Sequence, residues 1–191
     1  DILVDANQAQ SPYPWQAGVI WDLDRAKRMN QKMHELGCYW LEEPRPRYNF
    51  DELSELVSMN MTKISGGENN TVVSDFHEMV NKNSYDILQP ESMVMGGITP
   101  LIEIGEISKK YNKEIVPHHG GGDLGVVAHM HLLATWNNAP YCEMLNDPPL
   151  SSYKNKFFIF NEDLNVKDGI INVPNTPGLG VTIKEDLIIR E

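Results

Sequence analysis

Residues 38–68, CYWLEEPRPRYNFDELSELVSMNMTKISGGE, contain one full round of the pattern that decides the fold. Cys38 to Leu41 is a short apolar run that reaches Glu42, and Pro44 then stops regular structure. Phe50 to Met59 carries apolar residues at helical spacing, and Met61 to Ile64 opens a second run that leads through two glycines to Glu68. The order is strand, loop, helix, strand, with a carboxylate just past each strand. The same device recurs along the chain: Asp5 closes Ile2-Leu3-Val4, Glu91 closes Ile87-Leu88-Gln89-Pro90, His118 closes Ile115-Val116-Pro117, and Glu143 follows Tyr141-Cys142. Intervals of 23 to 37 residues separate these groups, where a strand, a helix and two loops need roughly 30. Polar side chains delivered once per unit, always after the strand, converge at one mouth of a β/α barrel, which is where such barrels keep their chemistry.

The remaining elements follow the same logic. The long first interval holds a loop, Gln10 to Trp21, and a helix, Asp22 to Leu36, closed by Gly37. Ser74 is the expected N-cap of a helix running to Lys82, Tyr85 to Leu88 is a strand, Met93 to Gly97 a turn, and Ile98 to Tyr111 an amphipathic helix. Glu114 to Val116 is a strand followed by a glycine loop, His118 to Gly122, then an apolar helix, Leu124 to Thr135, and a last barrel strand, Pro140 to Cys142. From about Pro148 the pattern changes to short β-prone pieces with turn residues, among them Gly169 to Ile171 and Leu187 to Ile189. The expected organisation is therefore a barrel portion over 1–147 and an extension over 148–191 that packs on it.

The chain has 191 residues, whereas a closed eight-unit barrel takes about 250. Six strands are accounted for, so the expectation is an incomplete barrel whose earlier strands lie upstream. Sixteen Lys and Arg against 27 Asp and Glu give a net charge of −11; without clustered positive charge, no nucleic-acid partner is expected. No apolar run approaches the roughly 18 residues a membrane span requires, so no membrane partner is expected and a cytoplasmic location is anticipated. Cys38 and Cys142 flank aromatic residues and read as buried reduced thiols rather than a disulfide.

Asp5, Glu42 and Glu68 come from consecutive strands, and three carboxylates brought together repel unless a cation neutralises them. Hard oxygen donors of this kind select Mg2+ over Zn2+, although each acid alone also suits helix capping. Glu43 follows Glu42, so strand alternation points it elsewhere, toward an ion pair with a residue such as Lys63. Asn7 faces the same side as Asp5 and is a candidate for contacting ligand or metal-bound water, with simple turn formation as the alternative. Tyr13, Trp15 and Trp21 stand in the loop at the active mouth, where Trp15 either stacks on a sugar-like chain or merely packs. His34 and His77 fall on exposed helix faces and receive no role; His129 and His131, beside Leu132 and Leu133, read as core or rim.

Val4-Asp5-Ala6-Asn7-Gln8, Trp40-Leu41-Glu42-Glu43-Pro44, Gly67-Glu68-Asn69, Gln89-Pro90-Glu91 with Gly96-Gly97-Ile98-Thr99, Val116-Pro117-His118, Glu143 and Pro177-Gly178-Leu179-Gly180-Val181 together resemble the enolase superfamily, in its mandelate racemase-like branch with the acid-sugar dehydratases. The resemblance implies an α/β fold, a (β/α)7β TIM-like barrel, here strands 3 to 8 plus the C-terminal extension, without the N-terminal capping domain. It implies Mg2+ held by Asp5, Glu42 and Glu68. It also implies a general acid or base at His118, with His119 as the fallback and a substrate neighbour, and Glu143 bonded to the substrate carboxylate as charge develops. Glu91 stands where the family usually offers an aspartate, one methylene shorter, so a Glu91–His118 pair is expected. The family's second-strand Lys-x-Lys base would precede Asp1. The activity implied is Mg2+-dependent abstraction of the proton next to a carboxylate, leading to dehydration of an acid sugar to a 2-keto-3-deoxy acid. The rivals are a racemase or epimerase of a 2-hydroxy acid and a catalytically idle metal-binding barrel. The expected partners are a small carboxylate substrate and a second copy of the chain in a homo-oligomer.

Overall fold

The computed structural model describes residues 1–9, 19–119, 123–149, 152 and 156–188. Five short strands form one parallel sheet in chain order: β1 (Leu3–Asp5), β2 (Trp40–Glu42), β3 (Lys63–Gly66), β4 (Ile87–Leu88) and β5 (Glu114–Ile115). Sequential parallel neighbours require a crossover helix at each step, and the sequence supplies them as α1 (Leu23–Glu35), α2 (Phe50–Ser58), α3 (Val73–Asn81) and α5 (Ile98–Lys110). A short α4 (Ser92–Met95) precedes α5, and α6 (Asp123–Leu133) follows β5. This is an arc of a β/α barrel.

Pleating sorts the strand residues into two layers. Leu41, Ile64, Leu88 and Ile115 point outward into the main core, where they meet Leu53, Leu56, Phe76, Met79, Leu101 and Ile104 from the helices. The alternate positions point inward, and there Trp40, Ile87 and Val116 form a second, smaller cluster with Tyr39 and Tyr141. Asn30, fully buried on α1, ties the layers. Its Oδ1 accepts from the Thr62 amide at 3.1 Å, its Nδ2 lies 3.4 Å from the Leu56 carbonyl, and Thr62 Oγ1 donates back to the Asn30 carbonyl at 3.3 Å.

Four elements differ from the sequence reading. The turn expected at Met93 to Gly97 begins as α4, whose N-cap is Glu91 and whose end is set by Gly96 in the left-handed region. Ser74 lies inside the first turn of α3; the capping position is Val72, which offers no side-chain acceptor. Pro140 to Cys142 is not a ladder strand. The nearby backbone bond runs from the Ile115 amide to the Asn138 carbonyl at 3.1 Å, and Pro140 has no N–H with which to continue pairing. Glu185 to Leu187 is a 3-10 turn rather than the start of a β piece. Among its described residues the C-terminal segment makes only isolated bridges, Phe160 with Ile183 and Lys167 with Ile170, and it packs Phe157 and Phe160 against Val126, Val127 and Met130 of α6. Cys38 and Cys142 are free and half-buried.

Candidate active site

The inward positions at the C-terminal ends of the strands carry the charged groups. In the β1–β2 register Asp5 sits directly opposite Glu42, and Glu68 follows two residues after β3 ends at Gly66. Glu42 and Glu68 are buried and Asp5 is exposed. Burial pushes the Glu42 carboxyl up to about 8; the Gln89 side chain opposes this while Asp5, Glu143 and Glu68 add to it. Burial also raises Glu68, against the pull of His118. Each oxygen set has local partners: the Asn7 amide and Nδ2 both donate to Asp5 at 2.7 Å, and Asn69 Nδ2 donates to Glu68 at 2.6 Å. Among the described residues, the ligand atoms of Asp5, Glu42 and Glu68 are not drawn within 4.8 Å of one another. The donor set nevertheless suits Mg2+: of three hard carboxylates the two buried ones, Glu42 and Glu68, are raised by burial and by neighbouring negative charge, which is the electrostatic deficit a divalent cation removes.

His118 stands at the centre of this mouth. Its Nε2 lies 3.0 Å from Glu68 Oε2 and 3.9 Å from Glu143 Oε1, and its Nδ1 lies 3.5 Å from Glu91 Oε2. The last distance is an ion-pair contact, longer than a well-formed hydrogen bond. Burial alone would lower the imidazole's proton affinity, but Glu91, Glu143 and Glu68 outweigh it and raise the ring to about 9. Its amide donates to the Pro90 carbonyl at 3.2 Å, which keeps the end of β5 beside the end of β4. Glu143 is likewise raised by burial.

Glu91 is a hub. It caps α4 by accepting from the Met93 amide at 3.0 Å, and besides His118 it faces His119 Nδ1 and His129 Nε2, each at 3.5 Å. Burial pushes its carboxyl up, but His118, His119 and the Met93 amide hold it well below the usual carboxylate range. His119, expected as a substrate neighbour, is placed in the interior beside Glu91. The residue is 1 % exposed, and its ring lies close against the backbone of Gly125 on α6. His129, read as core or rim, is buried against Glu91, and burial lowers it to about 4. The missed signal was an ionisable ring in the middle of a helix with no polar face, which has to find its partner across the interior.

One further reading is corrected. Lys63 pairs with Glu114 and donates to the Tyr39 hydroxyl at 2.8 Å, so it is not the partner of Glu43. Glu43 is 1 % exposed, and among the described residues neither carboxylate oxygen has a hydrogen-bond partner. Strand alternation failed there because β2 ends at Glu42 and Glu43 adopts φ +42°, which turns it inward; burial lifts it to about 8. Asn7, at φ +52°, donates its backbone N–H and a side-chain N–H to Asp5, a turn that orients this carboxylate. Trp15 and Tyr13 lie outside the described residues.

A barrel arc with carboxylates and a histidine gathered at the C-terminal mouth defines a class of β/α enzyme-like domain. The chain belongs to the enolase C-terminal domain-like family, whose model matches residues 1–187. It is 29% identical over 184 residues to an L-talarate/galactarate dehydratase of Salmonella typhimurium, covering 96% of this chain and 40% of that protein. It is 28% identical to an arabinonate dehydratase of Saccharolobus solfataricus, covering 96% and 45%. Among solved structures, the L-talarate dehydratase of Polaromonas sp. JS666 complexed with Mg and L-glucarate superposes with a TM-score of 0.77 at 26% identity, over 97% of this chain and 45% of that one. The chain therefore spans less than half the length of these relatives. No helix among the described residues is long and apolar enough to cross a membrane.

Proposed function

We propose that this chain carries the catalytic half of a Mg2+-dependent lyase that removes water from an acid sugar and yields a 2-keto-3-deoxy acid. The observation that carries the reading is the placement of His118 among Glu68, Glu91 and Glu143 at the mouth that also holds Asp5 and Glu42. Asp5, Glu42 and Glu68 would hold Mg2+, which supplies the positive charge that makes a proton beside a carboxylate removable. A ring flanked by three carboxylates is kept in its proton-bearing form, so His118 delivers a proton to the departing β-hydroxyl. Glu91 orients that ring through Nδ1, and Glu143, half-buried and on the opposite nitrogen's side, bonds the substrate carboxylate as charge builds there. The kinship with acid-sugar dehydratases supports the substrate class.

The test is the whole protein assayed with Mg2+ against a panel of acid sugars in deuterated water, reading both keto-acid formation and α-proton exchange. A keto-acid product that disappears with chelator is the expected result. Exchange without keto acid would make the enzyme an epimerase. No turnover of any member by a folded, Mg2+-binding protein would leave a metal-binding barrel without this chemistry.

A further inference from the structure

Glu91, His119 and His129 place one ligand atom each within 4.8 Å of one another, and all three are buried. His119 Nδ1 lies 3.5 Å from Glu91 Oε2 and His129 Nε2 lies 3.5 Å from Glu91 Oε1, each the separation of two ligands on an ion whose N and O donors stand about 2.0 to 2.2 Å away, so the carboxylate presents one oxygen to each ring. Hydrogen bonding points the same way. Ser92 donates its amide to His129 Nε2 at 3.2 Å, so that nitrogen carries a lone pair and no proton, and an ion would take that lone pair in place of the Ser92 N–H. The nitrogen faces Glu91 Oε1, another lone-pair donor, with no hydrogen to share between them. His119 is the second sign: it is 1 % exposed, and among the described residues neither ring nitrogen has a hydrogen-bond partner. Buried polar rings are not normally left so.

The cluster is also fixed in place. A Cβ on Gly125 would fall 2.8 Å from His119 Cε1 and 3.0 Å from Nδ1, so the helix backbone lies directly against the imidazole. Glu91 is held by the Met93 amide. Ligands locked by their own surroundings need little reorganisation to receive an ion.

From this geometry we infer that Glu91, His119 and His129 form a second metal site, for a borderline transition ion such as Zn2+ or Co2+, separate from the all-oxygen set of Asp5, Glu42 and Glu68. Two imidazoles and one carboxylate with a remaining open position make a donor set that favours these ions over Mg2+. The site does not depend on the dehydratase reading. One consequence does: an ion on Glu91 competes with its contact to His118, so occupancy opposes the orientation of that ring.

The experiment uses the whole protein that carries this chain, stripped with chelator and held in excess Mg2+ so that the oxygen set is filled. Titration with Co2+ should give one equivalent of binding, with the strong visible absorption of a four- or five-coordinate N/O site. His129→Leu and His119→Leu should each weaken Co2+ binding at least tenfold, on the order of what loss of even an outer-shell partner does, while Asp5→Asn leaves it unchanged. Absence of Co2+ binding by the folded wild type, binding that survives both histidine substitutions, or binding abolished by Asp5→Asn would each overturn the inference. Should the leucine variants not fold, anomalous diffraction at the zinc edge on wild-type crystals decides. A peak among the three side chains sustains the site, and a peak only at the carboxylate set, or none, overturns it.

Discussion

Gly66→Ala tests how tightly the barrel wall controls the proposed metal ligands. Gly66 ends β3 two residues before Glu68, and its backbone lies in the allowed left half of the conformational map, so only space decides the outcome. A methyl there would fall 2.7 Å from Tyr85 Cε1 and 3.2 Å from Cζ, well inside ordinary contact. Tyr85 is fully buried and a rigid ring, so it cannot swing aside. Replacing glycine reduces unfolded-state freedom and stabilises by about 0.4–1 kcal/mol, while forcing a methyl into a packed core costs about 1–3 kcal/mol. The net expectation is a loss of roughly 1–2 kcal/mol, together with displacement of the β3 end and weaker Mg2+ binding through Glu68. Urea unfolding gives the first quantity and calorimetric Mg2+ titration the second. Tyr85→Leu in the Gly66→Ala background should recover part of both by opening the space. The reasoning fails if Gly66→Ala changes neither stability nor Mg2+ affinity, or if the second substitution recovers nothing.

His118→Asn should lower turnover of whichever acid sugar is accepted by about 10²–10⁴-fold, the range typical of a positioned acid or base, while Mg2+ binding by calorimetry is retained. Asn30→Ala leaves the Thr62 amide without its acceptor in a fully buried setting, so urea unfolding should report a loss of about 1–3 kcal/mol; a change under 0.5 kcal/mol would contradict the role assigned to this side chain. For Lys63, burial disfavours the charge but Glu114 and Tyr39 outweigh it and raise the amine above its ordinary 10.5. A raised amine contributes stability that is complete below the unfolded value and lost as pH climbs through the folded one. The stability gap between wild type and Lys63→Met should therefore be constant near neutrality and close only at strongly alkaline pH. Since Lys63 is more than a third exposed, the gap should be no more than about 1 kcal/mol and shrink with salt.

The period of apolar runs and terminal carboxylates made the βα order readable, because each buried strand must be apolar and each mouth residue must follow it. Even the inward faces of Asp5, Glu42 and His118 follow from alternation. What escaped lies where a local rule ends. Glu43 broke alternation as soon as its φ became positive, and the capping role of Glu91 needed knowledge of α4, four residues too short for any periodic signal. His119 and His129 are ten residues apart in sequence and on different elements, so their meeting at Glu91 exists only after α6 has packed. Ser74 looked like a cap by residue type, yet the helix began one position earlier.

At the other end of the strands Lys63, Tyr39 and Glu114 tie β3 to the approach to β2 and to the start of β5. Asp86 adds a link by accepting from the Ile64 amide at 2.9 Å. Cohesion is thereby lodged at the floor of the arc, remote from the rim that carries the carboxylates and His118. Residues around the rim can be exchanged while the scaffold stays fastened from beneath, a division of labour that lets one architecture carry different sites.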